Sequence, residues 1–494
     1  MKKLAAAAVL LAAALAEAGP PPRPRLVLVL TVDQFRYDYL TRFDAEYKGG
    51  LRRLLDQGAV FTSARYEHLP TVTAVGHSTI ATGAFPSTSG IVGNEWFDRE
   101  TGRTVESTYD PAVQLLGGKG DASSPRRLLV STVGDELKVA TGGRAKLFGI
   151  SQKARAAILS SGHAADAAFW FDATGGAFVS STFYLPDLPP WVKEFNAARP
   201  VERFRQAWGG RPIPAQTSAG NEMVEGLAEK AIEAESLGRR GVTDLLALGF
   251  SANDAVGHEY GPDSAEVHEI SLATDRVLAR LFRFLDERVG MDNVLVVFTA
   301  DHGVAPVPET NNARRMPGGR LPAGVIRTAV QAALILRYGA GDWVSSTSDQ
   351  AIYINRRLEV DKGLDPEDVE RTAEQAVLAL PHVFRVYTRG RLLRGQVGDD
   401  PVGRAVLHGF NQQRSPDLVV LLEPYWMLAA RGTTHGSAFG YDNHVPIVFM
   451  GPGIRPGRYH MPVLVNDIAP TLAAILKIET PSGSAGRVLA EMLF

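Results

Sequence analysis

Three stretches of the chain share one pattern, a continuous apolar run that ends abruptly on an acidic residue. RLVLVLTVD runs from Leu26 to Asp33, VTDLLALGFSAND from Val242 through Phe250 to Asp254, and NVLVVFTADHG from Val294 to Ala300 before Asp301 and His302. Unbroken β-branched and Leu runs of this length predict strands buried on both faces, the habit of parallel sheets. Between them the apolar residues change to a helical period, in Asn221 to Glu235 and again in Ser264 to Val289, where Leu272, Val277, Leu278, Leu281 and Leu285 form one stripe. Strands alternating with helices predict an α/β fold with a mostly parallel central sheet flanked by helices. Ligands of such sheets gather beyond the carboxyl ends of the strands, so the residues that end these runs are the first candidates for chemistry.

Two stretches break the alternation. Residues of about 160–220 hold a hairpin-like AAFWFDATGGAFVSSTFY and then Pro- and Trp-rich turns, while about 304–430 mix helices, short strands and Gly/Pro-rich loops. Both are expected to be α+β insertions that cap the active edge of the sheet, within one catalytic domain of residues 19–494. The start of the chain has a different character: Lys2 and Lys3, twelve apolar residues from Leu4 to Leu15, then Ala16, Glu17 and Ala18. That is the layout of a signal peptide, with cleavage expected before Gly19 and a periplasmic or secreted product. Twelve apolar residues are too few for a span that needs roughly 20, so no membrane span is expected.

Charge and cysteine count then remove whole classes of function. A formal net charge of −2 gives no basic footprint, and no nucleic-acid binding is expected. The absence of cysteine excludes disulfides and every thiol-based mechanism. Chemistry must come from Ser, Thr, His, Lys and carboxylates. Taken singly, a strand-end Asp is most often a helix cap or turn former. Taken together, Asp33, Thr73, Asp254, His258, Asp301, His302 and His435 supply three carboxylates, three histidines and a hydroxyl, each after a strand or in a turn, a donor set suited to zinc.

The ordered motifs Asp33, PTVTAVGH, GIVGN ending at Asn94, SQKAR with Lys153 and Arg155, NDAVGHEYGP, TADHG, THGSAFGYDNHVPIVFMGPG and the closing NDIAPTLAAIL resemble the alkaline phosphatase superfamily. Within it the chain is similar to the bacterial threonine-nucleophile, phosphate-irrepressible alkaline phosphatases, which are related to type I phosphodiesterases and nucleotide pyrophosphatases. The resemblance covers nearly the whole chain after the leader. It implies two zinc ions per chain, small-molecule phosphate monoesters as substrates, and a phosphothreonine intermediate. It places the nucleophile at Thr73, four residues before His77, and makes Thr71 the turn residue after Pro70. One zinc would take Asp33, Thr73, Asp301 and His302, and the other Asp254, His258 and His435. Asn94, Lys153 and Arg155 would bind the phosphoryl oxygens, and on extended backbone Lys153 and Arg155 would face the same way. His77 and His444 are left outside the site, as residues that orient ligands through hydrogen bonds or serve structure alone.

Three rivals stand beside this reading. A phosphodiesterase of the same superfamily would share the metals but lack the Lys/Arg pair. A sulfatase would need a Cys or Ser in a CxPxR-like context, which TVTAVGH lacks. An exported phosphate-binding protein would not need six metal ligands.

Overall fold

The computed structural model describes residues 23–200, 217–348 and 350–494. The leader and the 201–216 part of the first expected insertion lie outside them. In chain order the main strands are β1 (Leu26–Val32), β2 (Ala59–Phe61), β3 (Leu147–Ser151), β4 (Ala167–Asp172), β5 (Ala177–Ser181), β6 (Asp244–Phe250), β7 (Val294–Thr299), β8 (Val344–Ser348), β9 (Ala351–Ile354), β10 (Val383–Thr388), β11 (Leu418–Leu422) and β12 (Ile447–Met450). The helices that matter here are α1 (Thr73–Thr82), α2 (Ala154–Ser161), α3 (Ala219–Ala234), α4 (Ala252–Tyr260), α5 (Ala265–Arg288), α6 (Val325–Tyr338) and α7 (Pro366–Leu378).

The three acid-terminated runs become β1, β6 and β7, and every residue of each is buried. They form the middle of a ten-stranded sheet whose order is Gly457–Tyr459, β2, β12, β7, β1, β6, β3, β4, β5 and Leu115–Leu116. From β7 to β4 all neighbours are parallel, and antiparallel pairs carry the sheet onward at both sides, from β7 to β12 and from β4 to β5. The helical stripes pack as expected. In α5 the Ser264 hydroxyl caps the first turn by accepting from the Val267 N–H, and Val277, Leu278, Leu281 and Leu285 are buried while Leu272 packs at the margin of the core.

Register does the work of assembling a site. Val32 pairs with Phe250, Thr31 with Thr299, and Gly249 with Ser151, so four parallel strands end along one edge. Antiparallel β12 begins at that same edge, Ile447 opposite Thr299, which returns the 434–444 loop to it.

The hairpin of the first expected insertion is placed differently. β4 continues the parallel sheet beside β3, and β5 pairs with β4, so residues 167–181 extend the sheet rather than cover its edge. The reason is burial: Ala167 to Trp170 are buried on both faces, and only the Asp172–Gly176 turn is polar and open. The second stretch builds a separate antiparallel sheet, β8–β9–β11–β10, covered by α6 and α7 around its own core of Val330, Trp343, Ile352, Val369 and Leu418.

Candidate metal-dependent active site

Asp33 follows β1 directly, and its N–H donates to the Phe250 carbonyl at 3.0 Å. Asp301 and His302 follow β7 after a single residue, and Asp254 lies in the first turn of α4 just past β6. His258 is one helical turn on, its Nε2 3.2 Å from Asp254 Oδ1. His435 comes from the returning loop, held by its Nδ1 at 2.8 Å from the Thr71 carbonyl, and its ring stacks on His302 with centroids 3.6 Å apart. His302 Nε2 lies 3.4 Å from Asp33 Oδ1 and 3.6 Å from Asp301 Oδ2. Two three-residue sets bring their donor atoms within 4.8 Å of one another, Asp33/Asp301/His302 and Asp254/His302/His435. His302 therefore reaches both sets, where the resemblance assigns it to the first alone.

Thr73 is the first residue of α1, and all ten residues of that helix are buried. Gly76 sets its depth, because a Cβ there would stand 2.2 Å from the Asp301 carbonyl oxygen. Residues at i+3 and i+4 share a helix face, so Gly76 and His77 bring the Thr73 face against Asp301, with His77 Nε2 3.6 Å from Asp301 Oδ2. The two hydroxyls of PTVT have different fates. Thr71 donates to the Ser437 carbonyl at 2.8 Å, whereas no described group hydrogen-bonds the Thr73 hydroxyl. Asn94 Oδ1 accepts the Ala74 N–H at 2.9 Å and so occupies one of the free donors of the first turn.

Lys153 and Arg155 do not share an extended segment. Lys153 is the N-cap of α2 with extended backbone, and Arg155 already belongs to the first turn. The two also differ in partners: Lys153 Nζ bridges Asp33 Oδ2 at 2.5 Å and Asp254 Oδ2 at 2.7 Å, while Arg155 has no hydrogen bond or ion pair among the described residues.

The electrostatics call for further positive charge. Burial, then the neighbouring Asp33, pushes the Asp301 carboxyl well above the usual carboxylate range. Burial acts the same way on Asp254, but Lys153 and His258 outweigh it and hold that carboxyl well below its usual value. Burial lowers His302, and burial with His302 and His258 lowers His435 far more, which keeps both imidazoles neutral with a lone pair to give. Asp33 Oδ1, Asp301 Oδ2, His302 Nε2 and His77 Nε2 are buried without a hydrogen-bond partner. Each such atom costs on the order of 1–3 kcal/mol, and cations between these oxygens and nitrogens would satisfy them together. The donor set fits metal ions.

The profile of the type I phosphodiesterase / nucleotide pyrophosphatase family matches residues 27–443, which span every one of these groups. The chain belongs to that family. Among its relatives in the family, Alkaline phosphatase PafA of Elizabethkingia meningoseptica is 34% identical, with 96% of this chain and 95% of that protein covered. Alkaline phosphatase PhoV of Synechococcus elongatus is also 34% identical, covering 95% of this chain and 93% of that protein. The crystal structure of wild-type PafA matches with a TM-score of 0.91 at 33% identity over 96% of this chain and 99% of that one. A PafA variant substituted at a threonine, an asparagine, a lysine and an arginine gives 0.90 at 32%.

One residue of this family member's site carries no sequence signal. Gln34, next to Asp33, sits at φ 64°, donates its Nε2 to Asp254 Oδ1 at 2.6 Å and its backbone N–H to Asp301 Oδ1 at 3.1 Å. It ties a carboxylate of one ligand set to a carboxylate of the other. His77, left out of the site on sequence, touches Asp301 and turns its Nδ1 to Ser160 Oγ at 2.8 Å. His444 is elsewhere, its Nε2 on the Thr62 carbonyl and its ring stacked on Tyr37.

Proposed function

We propose that the chain is an exported, zinc-dependent phosphate monoester hydrolase, an alkaline phosphatase that acts through a phosphothreonine on Thr73. The observation that carries this reading is the unpartnered Thr73 hydroxyl, at the N-terminus of a helix packed against Asp301 and beside two metal-ligand sets. Two zinc ions, when bound by Asp33, Thr73, Asp301 and His302 and by Asp254, His258 and His435, would lower the pKa of the attacking hydroxyl and offset charge on the leaving oxygen. The chain's own residues do the rest. Thr73 Oγ1 attacks phosphorus, the bond to the leaving oxygen breaks, and water later cleaves the phosphothreonine. The helix N-terminus, the free Nδ2 of Asn94 and the unpartnered Arg155 guanidinium bind the phosphoryl oxygens, and Lys153 holds two of the carboxylates in place.

Threonine, asparagine, lysine and arginine are also the residue types replaced in the PafA variant, with the same separations along the chain as Thr73 from Asn94 and Lys153 from Arg155. A phosphodiesterase is the second reading, favoured by the family's description; Arg155 argues against it, because a monoester dianion offers it a charged oxygen where a diester carries a second organic group. Export follows from the 1–18 leader, and among the described residues no helix is long and apolar enough to cross a membrane. The β8–β11 sheet serves as a cap on the catalytic domain of residues 19–494.

The test is Thr73→Ala beside Thr73→Ser, with p-nitrophenyl phosphate and a methyl phosphodiester as substrates. The alanine variant is expected to form no covalent phosphoenzyme and to lose nearly all turnover even when loaded with zinc to the wild-type content, while the serine variant keeps a measurable fraction. A phosphoenzyme in Thr73→Ala, or a wild type that prefers the diester, refutes the reading.

A further inference from the structure

A cavity of about 440 Å³ opens beside Arg155, Asn94 and His435. Its other walls mix apolar side chains with the polar Thr347, Ser348, Gln350 and Ser415, and the apolar ones come from two separate parts of the fold. Leu69, Val72 and Val92 flank the α1 turn, Tyr353 lies in β9, and Phe410 directly follows the helix Pro401–Gly409. Pockets of about 300–1,000 Å³ with such walls and a few convergent polar groups enclose ring-sized organic bodies. The charge on the lining is uneven. Arg155 is the sole Lys or Arg among the described lining residues, and the opposite charge is carried by Glu95 and Glu106, which face each other across a strand pair without an ion-pair partner among the described residues.

We infer that this cavity is the leaving-group subsite, and that the substrates the enzyme binds best are phosphate monoesters of uncharged, ring-bearing alcohols or phenols. The inference rests on the phosphatase reading. One end of the cavity supplies the cation and amide for the phosphoryl group, and the space behind them, with Leu69, Val92, Tyr353 and Phe410 on its apolar side and Thr347, Ser348 and Gln350 on its polar side, accepts an uncharged organic group without desolvating a charge on it. A leaving group with a second anion would meet Glu95 and Glu106 and no cation beyond the Arg155 that holds the phosphoryl group.

Phosphonates test this without the complication of leaving-group reactivity, as competitive inhibitors of p-nitrophenyl phosphate hydrolysis by the zinc-loaded enzyme. Benzylphosphonate is expected to have a Ki lower than that of methylphosphonate by on the order of tenfold to a hundredfold, from burial of the ring. A para-carboxylate on that ring is expected to raise Ki several-fold. Val92→Phe, which fills the cavity from the α1 side, should raise the Ki of benzylphosphonate about tenfold while inorganic phosphate keeps its Ki; Phe410→Ala provides the same reading by removing a wall. Equal Ki values for benzyl- and methylphosphonate, or an unmoved benzylphosphonate Ki in both variants, overturn the proposal alone. Absence of p-nitrophenyl phosphate turnover overturns the phosphatase reading and the proposal with it.

Discussion

Gly257 sits inside α4, between the proposed metal ligands Asp254 and His258, and its missing side chain makes room for Gln34: a Cβ there would stand 1.7 Å from Gln34 Oε1. Gly257→Ala therefore sets two effects of opposite sign against each other. Alanine inside a helix is favoured over glycine by about 1 kcal/mol. The clash falls on the tip of a flexible side chain, so Gln34 swings away and the helix keeps its place. What is lost is the 2.6 Å bond from Gln34 Nε2 to the Asp254 carboxylate. A hydrogen bond to a charged group is worth about 1.5–3 kcal/mol, and loss of a group that orients a metal ligand costs about ten- to a hundredfold in metal affinity. The assay is competition for zinc by a chromophoric chelator, with thermal unfolding of the metal-free protein measured in parallel. One of the two ions should bind ten- to a hundredfold more weakly, while the metal-free protein loses about 0.5–2 kcal/mol, the lost bond less the helix gain. Gln34→Ala should reproduce the weaker binding without the helix gain, and the double variant should bind zinc no worse than either single one, because both remove the same bond. Wild-type affinity for both ions in Gly257→Ala, or a metal-free loss of stability well above about 2 kcal/mol, refutes this account of Gln34.

Arg155→Ala should leave the unfolding free energy within about 0.5 kcal/mol of wild type, since the guanidinium has no partner to lose among the described residues, while monoester kcat/KM falls about ten- to a hundredfold and diester kcat/KM much less; a ratio of the two that does not move refutes its role. Burial, reinforced by Asp417, pushes the Glu359 carboxyl up to about 7. The folded protein then holds a proton that the unfolded chain releases nearer pH 4.5, so this contribution to stability is complete below about pH 4.5 and is lost as pH rises through 7. Glu359→Gln removes the loss, and is expected to stabilise the protein by up to about 3 kcal/mol more at pH 8 than at pH 4.5; equal shifts in melting temperature at the two pH values would contradict it.

The two levels of organisation in the site were not equally open to reading from the chain. A parallel strand announces itself locally, as an apolar run that stops, and its chemistry sits at the stop; Asp33, Asp254, Asp301 and His302 are legible for that reason. Edge placement is not local. AAFWFDATGGAFVSS reads as a free hairpin because a strand that joins a sheet beside β3 uses the same residues as one that lies over it, and only pairing with Phe148 to Ser151 decides between them. The contacts that fix geometry are further still from the pattern: Gln34 takes a left-handed backbone that its residue type does not advertise, and its partner Gly257 matters through an atom it lacks. Lys153 shows the same limit on charge. Its neighbour Arg155 is two residues away and the same sign, yet one neutralises Asp33 and Asp254 while the other is left free for a ligand. Alanine at Lys153 would therefore disturb the carboxylates of Asp33 and Asp254, proposed to hold metal, as well as any phosphate contact, so the proposed specificity is read cleanly only at Arg155.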